Sequence, residues 1–155
     1  MTEPLRLSFD VACALDHAFH VWTSGIATWW PRDHTITNAP GVAVVLEGRV
    51  GGRIYERAPD GTEHEWGEVT VWQPPDQLSY LWHLGQQRAT ATQVAIRFRS
   101  DGEDATHIEI EHTGWERLGE REDALRQQNR LGWESLLPRF TAAAESPYPA
   151  TRKEG

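Results

Sequence analysis

The sequence predicts an α+β protein in which a curved antiparallel β-sheet wraps around a long C-terminal helix. Three observations predict this fold class. The chain has 155 residues, which is the usual size of one domain. Seven short segments have strand signals, and the last six follow one another with turn residues between them, as in a meandering antiparallel sheet. The last periodic segment, about 120–144, has the spacing of an amphipathic helix, whose apolar stripe must be buried against the sheet.

The first elements are a strand followed by two short helices. Residues 5–11 alternate between apolar and polar side chains, which predicts a half-buried strand. Asp16 is the expected N-cap of the first helix, and Gly25 ends it. A second, shorter helix is expected over Ile26 to Trp30, and Pro31 should end it.

Six further strands are predicted after a polar stretch and the turn at 38–41. The expected strands are 42–46, 50–57, 64–72, and three that begin near Leu78, Thr92 and Ile108. Turn signals separate them at 47–48, 60–61, 74–76 and 101–102. The residues that share one face on the last three strands are Leu78, Tyr80, Trp82 and Leu84, then Thr92, Val94, Ile96 and Phe98, then Ile108, Ile110 and His112.

A long amphipathic helix is predicted from about Glu120 to Ala144. Gly132 lowers its helix propensity, and Pro138 lies near its end, where a proline can kink a helix. We therefore expect one domain over residues 1–145. Residues 146–155 combine prolines with charged residues, so we expect a flexible tail there.

Composition and charge exclude several function classes. The chain carries 23 acidic and 15 basic residues, a net charge of −8, so we expect no binding to nucleic acid or to an anionic membrane. A single cysteine, Cys13, excludes an internal disulfide and a cysteine zinc cluster. No segment approaches the roughly 18 consecutive apolar residues of a membrane span, and residues 1–15 lack the apolar run of a signal peptide. We therefore expect a cytoplasmic protein.

Tryptophan is the unusual part of the composition. The chain has eight tryptophans but only four phenylalanines, three tyrosines and one methionine, and 39 % of its residues are hydrophobic. A few large rings must therefore supply much of the buried area.

Several short motifs occur in the order and spacing of a known family. They are Phe19-x-x-Trp22, Trp29-Trp30-Pro31, Glu47-Gly48-x-Val50-Gly51-Gly52-Arg53, Gly67-x-Val69, Pro74-Pro75-x-x-Leu78-x-Tyr80-x-Trp82, His112-x-Gly114-Trp115 and Gly132-Trp133. With these motifs the chain, from about Leu5 to Phe140, resembles the family related to the activator of heat-shock-protein-90 ATPase, within the START-like (SRPBCC, birch-pollen-allergen-like) superfamily. The resemblance implies a helix-grip fold, which agrees with the order β-αα-ββββββ-α derived above.

The resemblance implies ligand binding more than a particular chemistry. The superfamily includes lipid and small-molecule carriers, polyketide cyclases and aromatases, and self-resistance proteins that bind a toxic natural product. Its co-chaperone members carry a separate N-terminal domain, for which 155 residues leave no room. Activation of a chaperone is therefore not the expected function.

A curved sheet leaves a space against the helix, and we expect a ligand cavity there. The candidate ligand-binding residues are aromatic and polar side chains expected to face it, namely Trp30, Glu56, Trp66, Tyr80, Trp82, His112, Trp115 and Trp133. Flat rings suit an aromatic or polycyclic ligand, and His112 and Glu56 would supply polarity. The alternative interpretations are that the rings fill the core, that His112 is a buried neutral histidine, and that Glu56 makes a structural pair.

We expect non-catalytic binding of a small hydrophobic or aromatic molecule, and we assign no catalytic residue. Two alternatives stay open. One is a cyclase, dehydratase or hydrolase that uses His112, Glu56 or Tyr80 for proton transfer in the same pocket. The other is a chaperone-associated protein-binding module. The seven histidines form no His-Glu-x-x-His motif and no paired cysteines accompany them, so we expect neither a metal nor another cofactor. The sequence indicates no oligomeric state.

Overall fold

The structure is a computed structural model that describes residues 3–146. The predicted flexible tail, 146–155, lies outside the described residues except for Ser146. The strands are β1 Leu5–Val11, β2 Ala43–Leu46, β3 Arg53–Arg57, β4 Glu63–Gln73, β5 Gln77–Trp82, β6 Thr92–Ser100 and β7 Thr106–Thr113. The helices are α1 Leu15–Trp22 and α2 Glu122–Glu145, and short 3-10 segments cover Ile26–Thr28, Arg32–His34, Arg88–Thr90 and Trp115–Arg121.

The strands form one antiparallel sheet in the order β1-β7-β6-β5-β4-β3-β2. Strands β2 to β7 follow one another as a meander. The last strand, β7, lies beside β1 and pairs with it, so that Leu5 lies opposite His112. Helix α2 packs against α1 and β1 on the inner face of the curved sheet. The predicted α+β helix-grip fold is confirmed.

An aromatic core fills the space between the helices and the sheet. The ring of Trp22 lies 4.7 Å from that of Phe140 and 6.1 Å from that of Trp133, both on α2. Phe9 of β1 contacts Phe140 edge to face at 6.1 Å. Helix α2 continues through Pro138 to Glu145 as one element. The large rings thus supply core area, as the composition indicates.

Two local predictions were wrong, each for a physical reason. Asp16 is not the N-cap of α1, because Ala14 occupies that position; the Asp16 carboxylate lies in the first turn, where it accepts a hydrogen bond from the N–H of His17 at 3.1 Å. Strand β3 begins at Arg53 and not at residue 50. The preceding residues form a tight turn in which Gly51 has a φ of +84° and donates to the carbonyl of Val69 at 2.8 Å.

Two bulges curve the middle of the sheet. The pairing of β3 with β4 shifts between Ile54 and Tyr55, and that of β4 with β5 shifts between Val69 and Val71. Between them lies Gly67, where an added Cβ would overlap the carbonyl oxygen of Leu81. Only glycine allows β4 and β5 to approach so closely at this point.

Candidate functional site

A cavity of about 430 Å³ lies between the end of β5, the loop that follows it, the segment after α1, and the N-terminal half of α2. This volume is in the range of small-molecule binding sites. Leu131, at 57 % exposure, lies at the rim, so the cavity reaches the surface. The lining residues are Trp30, Asp33, His34, Thr35, Trp82, His83, Leu84, Gln86, Thr90, Thr92, Leu118, Leu125, Gln128, Asn129, Leu131, Gly132, Trp133 and Leu136.

Three of the eight predicted residues, Trp30, Trp82 and Trp133, line this cavity. The rings of Trp30 and Trp82 are 5.8 Å apart. The Trp30 indole N–H donates to the carbonyl of His34 at 3.0 Å, and that of Trp133 donates to Nδ1 of His112 at 3.1 Å. Because these hydrogen bonds hold the two rings, the cavity has an aromatic wall of fixed orientation.

The other five predicted residues are buried outside the cavity lining. Trp66 is fully buried, with its ring 5.1 Å from that of Trp30. Tyr80 is also buried, and burial raises the pKa of its phenol, while a hydrogen bond from Trp22 acts in the opposite direction. Trp115 lies with its ring 4.2 Å from the imidazole of His112. Glu56 and His112 are buried as well.

Glu56 is fully buried and accepts four hydrogen bonds. The donors are the N–H of Ile36 at 2.6 Å, the N–H and hydroxyl of Thr37 at 2.9 and 2.8 Å, and the indole of Trp66 at 2.8 Å. Burial acts to raise the pKa of Glu56, but the hydrogen bonds together outweigh it and hold the pKa below the ordinary value of 4.5. Glu56 is therefore an ionised structural anchor for the loop next to Thr35. Its partners are two main-chain amides, a hydroxyl and an indole.

His112 is fully buried between its two partners, Trp133 and Thr92. Its Nδ1 accepts from the indole of Trp133, and its Nε2 lies 2.7 Å from the hydroxyl of Thr92. Burial lowers the pKa of His112 from 6.5 to about 3, so the imidazole is neutral at pH 7. This arrangement agrees with the interpretation of His112 as a satisfied neutral histidine. Glu56, Tyr80 and His112 are each enclosed, so none is placed to exchange a proton with a molecule in the cavity.

We expect His112 to make the protein sensitive to acid. Its folded-state pKa of about 3 lies below its ordinary value of 6.5, so the unfolded chain takes up a proton that the folded chain does not. The contribution of His112 to the free energy of unfolding is therefore unchanged above about pH 6.5. Below that pH the free energy of unfolding falls towards pH 3, by up to about 1.4 kcal/mol per pH unit. Urea unfolding between pH 6.5 and 4.5 measures this slope. His112→Gln, which cannot titrate, should flatten it, and an unchanged slope in that variant would contradict the assignment.

The loop between β5 and β6 closes one side of the cavity and is fixed by ion pairs. Arg88 contacts the carboxylates of Glu65, at 2.7 Å, and of Glu68, both on β4. His83, which lines the cavity, lies with its Nε2 3.1 Å from Glu65. Glu65 thus joins two residues of the loop to the sheet.

Several residues that line the cavity are not among the eight predicted ones, although the sequence pattern around them is informative. Thr92 is a polar residue at the start of an inward-facing apolar series, and Leu84 ends another such series. Gly132 stands out as a glycine inside a helix, and an added Cβ there would meet open space. Asp33 and His34 had no such signal, because they lie in a polar segment without periodicity.

Within residues 3–146, no group of three His, Cys, Asp or Glu side chains is arranged to hold a metal ion. None of the helices in this part of the chain is long and apolar enough to cross a membrane.

The chain matches one protein-family model and is similar to several solved proteins. The family model described as "Activator of Hsp90 ATPase homolog 1-like protein" matches residues 12–145. The chain is 32 % identical to Txn09, an anthrahydroquino-γ-pyrone synthase solved in a complex, with a TM-score of 0.59 over 81 % of this chain and 85 % of that one. It is 25 % identical to CalC, a self-sacrificing resistance protein from Micromonospora echinospora, with a TM-score of 0.64 over 98 % and 97 % of the two chains.

The likeness to a third solved protein concerns the fold alone. The Aha1 dimer from Colwellia psychrerythraea is 16 % identical, with a TM-score of 0.67 over 94 % of this chain and 98 % of that one. Among curated proteins, none matches the chain.

Proposed function

The chain belongs to the Activator of Hsp90 ATPase homolog 1-like family, and from that premise we propose that it binds a planar polycyclic aromatic molecule in the cavity between the sheet and α2. The observation that carries this proposal is the composition of the cavity wall. Trp30, Trp82 and Trp133 present three indole rings to the same space, and Gly132 leaves the backbone of α2 bare beside them. A flat ring system can lie against a glycine and between indoles, whereas a bulky non-planar molecule would gain less contact.

The relatives support an aromatic ligand in this kind of cavity. Txn09 is named as an anthrahydroquino-γ-pyrone synthase, which describes the synthesis of a polycyclic aromatic product. Txn09 is 32 % identical to our chain. The exposed surface gives less support to a protein-binding module. Among residues 3–146, three large apolar side chains are well exposed, namely Ile36, Val50 and Leu131, and three side chains are few for a large apolar docking patch. We therefore give precedence to the cavity.

Tryptophan fluorescence tests this proposal directly. Titration with anthraquinone, 2-hydroxyanthraquinone and, as a non-planar comparison, palmitate should give saturable quenching with one site per chain for the planar ligands only. Native mass spectrometry of the purified protein would identify any ligand that co-purifies. The proposal is wrong if no planar aromatic molecule gives saturable quenching.

One observation favours catalysis as a second candidate function. Asp33 and His34 both line the cavity, and the Nδ1 of His34 lies 3.0 Å from the Asp33 carboxylate. In such a pair the carboxylate accepts a hydrogen bond from the Nδ1–H of the neutral ring, so Nε2 carries a lone pair and can act as a general base. We propose that His34 Nε2 takes the proton of a ligand phenol, leaving the electron pair on the oxygen as a nucleophilic phenolate.

The absorption spectrum of bound 2,6-dihydroxyanthraquinone, which carries one hydroxyl at each end of the ring system, tests the base. If His34 accepts the phenolic proton, the spectrum of the bound ligand at pH 7 should move towards that of its phenolate. His34→Gln should restore the spectrum of the neutral phenol while binding persists. A neutral spectrum in the unaltered protein would leave ligand binding as the function and would contradict the role of His34.

A further inference from the structure

We propose that the cavity recognises a hydroxyl group of its ligand through the hydroxyl oxygen of Thr92, which His112 and the carbonyl of Trp82 hold in one orientation. This inference rests on the proposed function, because it names the class of molecule that the same cavity takes: a planar aromatic that carries a hydroxyl, as a phenol does.

The direction of the buried hydrogen bonds follows from the chemistry of an indole. The Nε1–H of Trp133 can only donate, so the Nδ1 of His112, 3.1 Å away, must be the acceptor and carry a lone pair. A neutral imidazole with a lone pair on Nδ1 carries its hydrogen on Nε2. His112 is fully enclosed with no carboxylate among its hydrogen-bond partners in residues 3–146, which favours the neutral ring.

The Nε2–H of His112 therefore donates to Thr92 Oγ1 at 2.7 Å. The hydroxyl of Thr92 in turn donates its own hydrogen to the carbonyl of Trp82 at 3.2 Å. A threonine hydroxyl has one hydrogen and two lone pairs, so this chain uses the hydrogen and one lone pair. The second lone pair remains available, and Thr92 is a lining residue of the cavity. The cavity thus presents a hydrogen-bond acceptor at this point, and its natural partner is a donor group of the ligand.

A single buried imidazole orients two groups that meet the ligand. On one side it accepts from Trp133, whose ring forms part of the aromatic wall, and on the other it donates to Thr92. His112 does not line the cavity itself, so it is a positioning residue. A ligand whose rings contact Trp133 has its edge within the same part of the cavity as Thr92, at the start of β6.

The experiment compares two ligands that differ by one hydroxyl. We would measure the dissociation constants of anthraquinone and 2-hydroxyanthraquinone for the unaltered protein and for Thr92→Val. The unaltered protein should bind the hydroxylated ligand about tenfold more tightly, which corresponds to one hydrogen bond of roughly 1.4 kcal/mol. Thr92→Val should lose this preference, and Thr92→Ser, which restores the hydroxyl, should recover it.

Thr70→Val is the matched control. It makes the same chemical change on β4, where the Thr70 hydroxyl is buried, lies outside the cavity lining and has no hydrogen-bond partner among residues 3–146. The preference for the hydroxylated ligand should persist in this variant. Equal affinities for both ligands in the unaltered protein, or a preference that survives in Thr92→Val, would overturn the inference but leave the proposed function standing. Failure of both ligands to bind would overturn the proposed function itself, and this inference with it.

The tautomer of His112 gives a readout independent of binding. The ¹⁵N chemical shifts of its ring should show the hydrogen on Nε2 and an unprotonated Nδ1 at pH 7. A hydrogen on Nδ1 would reverse the chain of hydrogen bonds and contradict the acceptor role of Thr92.

Discussion

Replacing Gly132 with leucine is expected to abolish binding of planar aromatic molecules while the protein stays folded. An added Cβ at Gly132 meets no atom within 4 Å beyond its own turn of the helix, and Gly132 lines the same cavity as Trp30, Trp82 and Trp133. A leucine side chain there would occupy the position proposed for the ligand. We expect a loss of at least 100-fold in affinity, or about 2.7 kcal/mol, measured by tryptophan fluorescence.

The same substitution should not cost stability, which separates blocking from unfolding. Glycine in a helix is about 0.8–1.0 kcal/mol less favourable than alanine, and leucine is close to alanine in this respect. Gly132→Ala should therefore raise the unfolding free energy by about 1 kcal/mol, and Gly132→Leu should not lower it. Gln127→Leu, on an exposed position of the same helix, is the control for an added apolar side chain. Tight binding by folded Gly132→Leu would show that the ligand lies elsewhere.

The largest effect on stability is expected at Glu56. Ile36, Thr37 and Trp66 direct four hydrogen-bond donors at the Glu56 carboxylate. Glu56→Gln replaces one of its two acceptor oxygens with an NH₂ group, which can only donate. We expect a loss of about 3–5 kcal/mol in the free energy of unfolding at pH 7, measured with urea. The segment that carries Asp33 and His34 into the cavity should also loosen, so aromatic binding should weaken along with stability.

Two comparisons isolate the role of this carboxylate. Thr37→Val removes its side-chain donor and should cost less than Glu56→Gln, about 1 kcal/mol. Glu63→Gln changes a carboxylate on the surface of β4, which pairs with Arg53 and Arg57, and should have a smaller effect than either. The pKa of folded Glu56 is lowered, so its contribution is present above about pH 4.5 and is lost as the pH falls through the folded value. A Glu56→Gln variant as stable as the unaltered protein at pH 7 would contradict the account.

The fold could be predicted from the sequence because its signals are local. Each signal is visible within about ten residues of sequence. The signals are the alternation of apolar and polar residues along β1, β6 and β7, the turn residues between strands, and the change to a helical spacing of apolar residues near residue 120. The bulges at Ile54 and Val69 could not be placed, because they depend on how two strands pair rather than on either strand alone.

The candidate site was predicted less completely, since parity along a strand says which side chains point inward but not how deep they lie. Trp66 and Trp82 face inward on neighbouring strands, yet Trp66 is fully buried and Trp82 lines the cavity. Glu56 and His112 were identified as inward polar residues, but their partners come from distant parts of the chain. In the sequence, Gly132 indicates only a lower helix propensity, and the open space beside it becomes visible in the structure.

The eight tryptophans allow the central claim to be tested in one measurement. Each indole N–H gives a signal in a ¹H–¹⁵N correlation spectrum, which single Trp→Phe variants would assign. On titration with 2-hydroxyanthraquinone, we predict that the signals of Trp30, Trp82 and Trp133 move most, because these rings line the cavity. The signal of Trp72, which contacts Phe19 at a distance from the cavity lining, should stay in place. Movement of Trp72 with no change at the three cavity tryptophans would contradict the claim that the ligand lies between the sheet and α2.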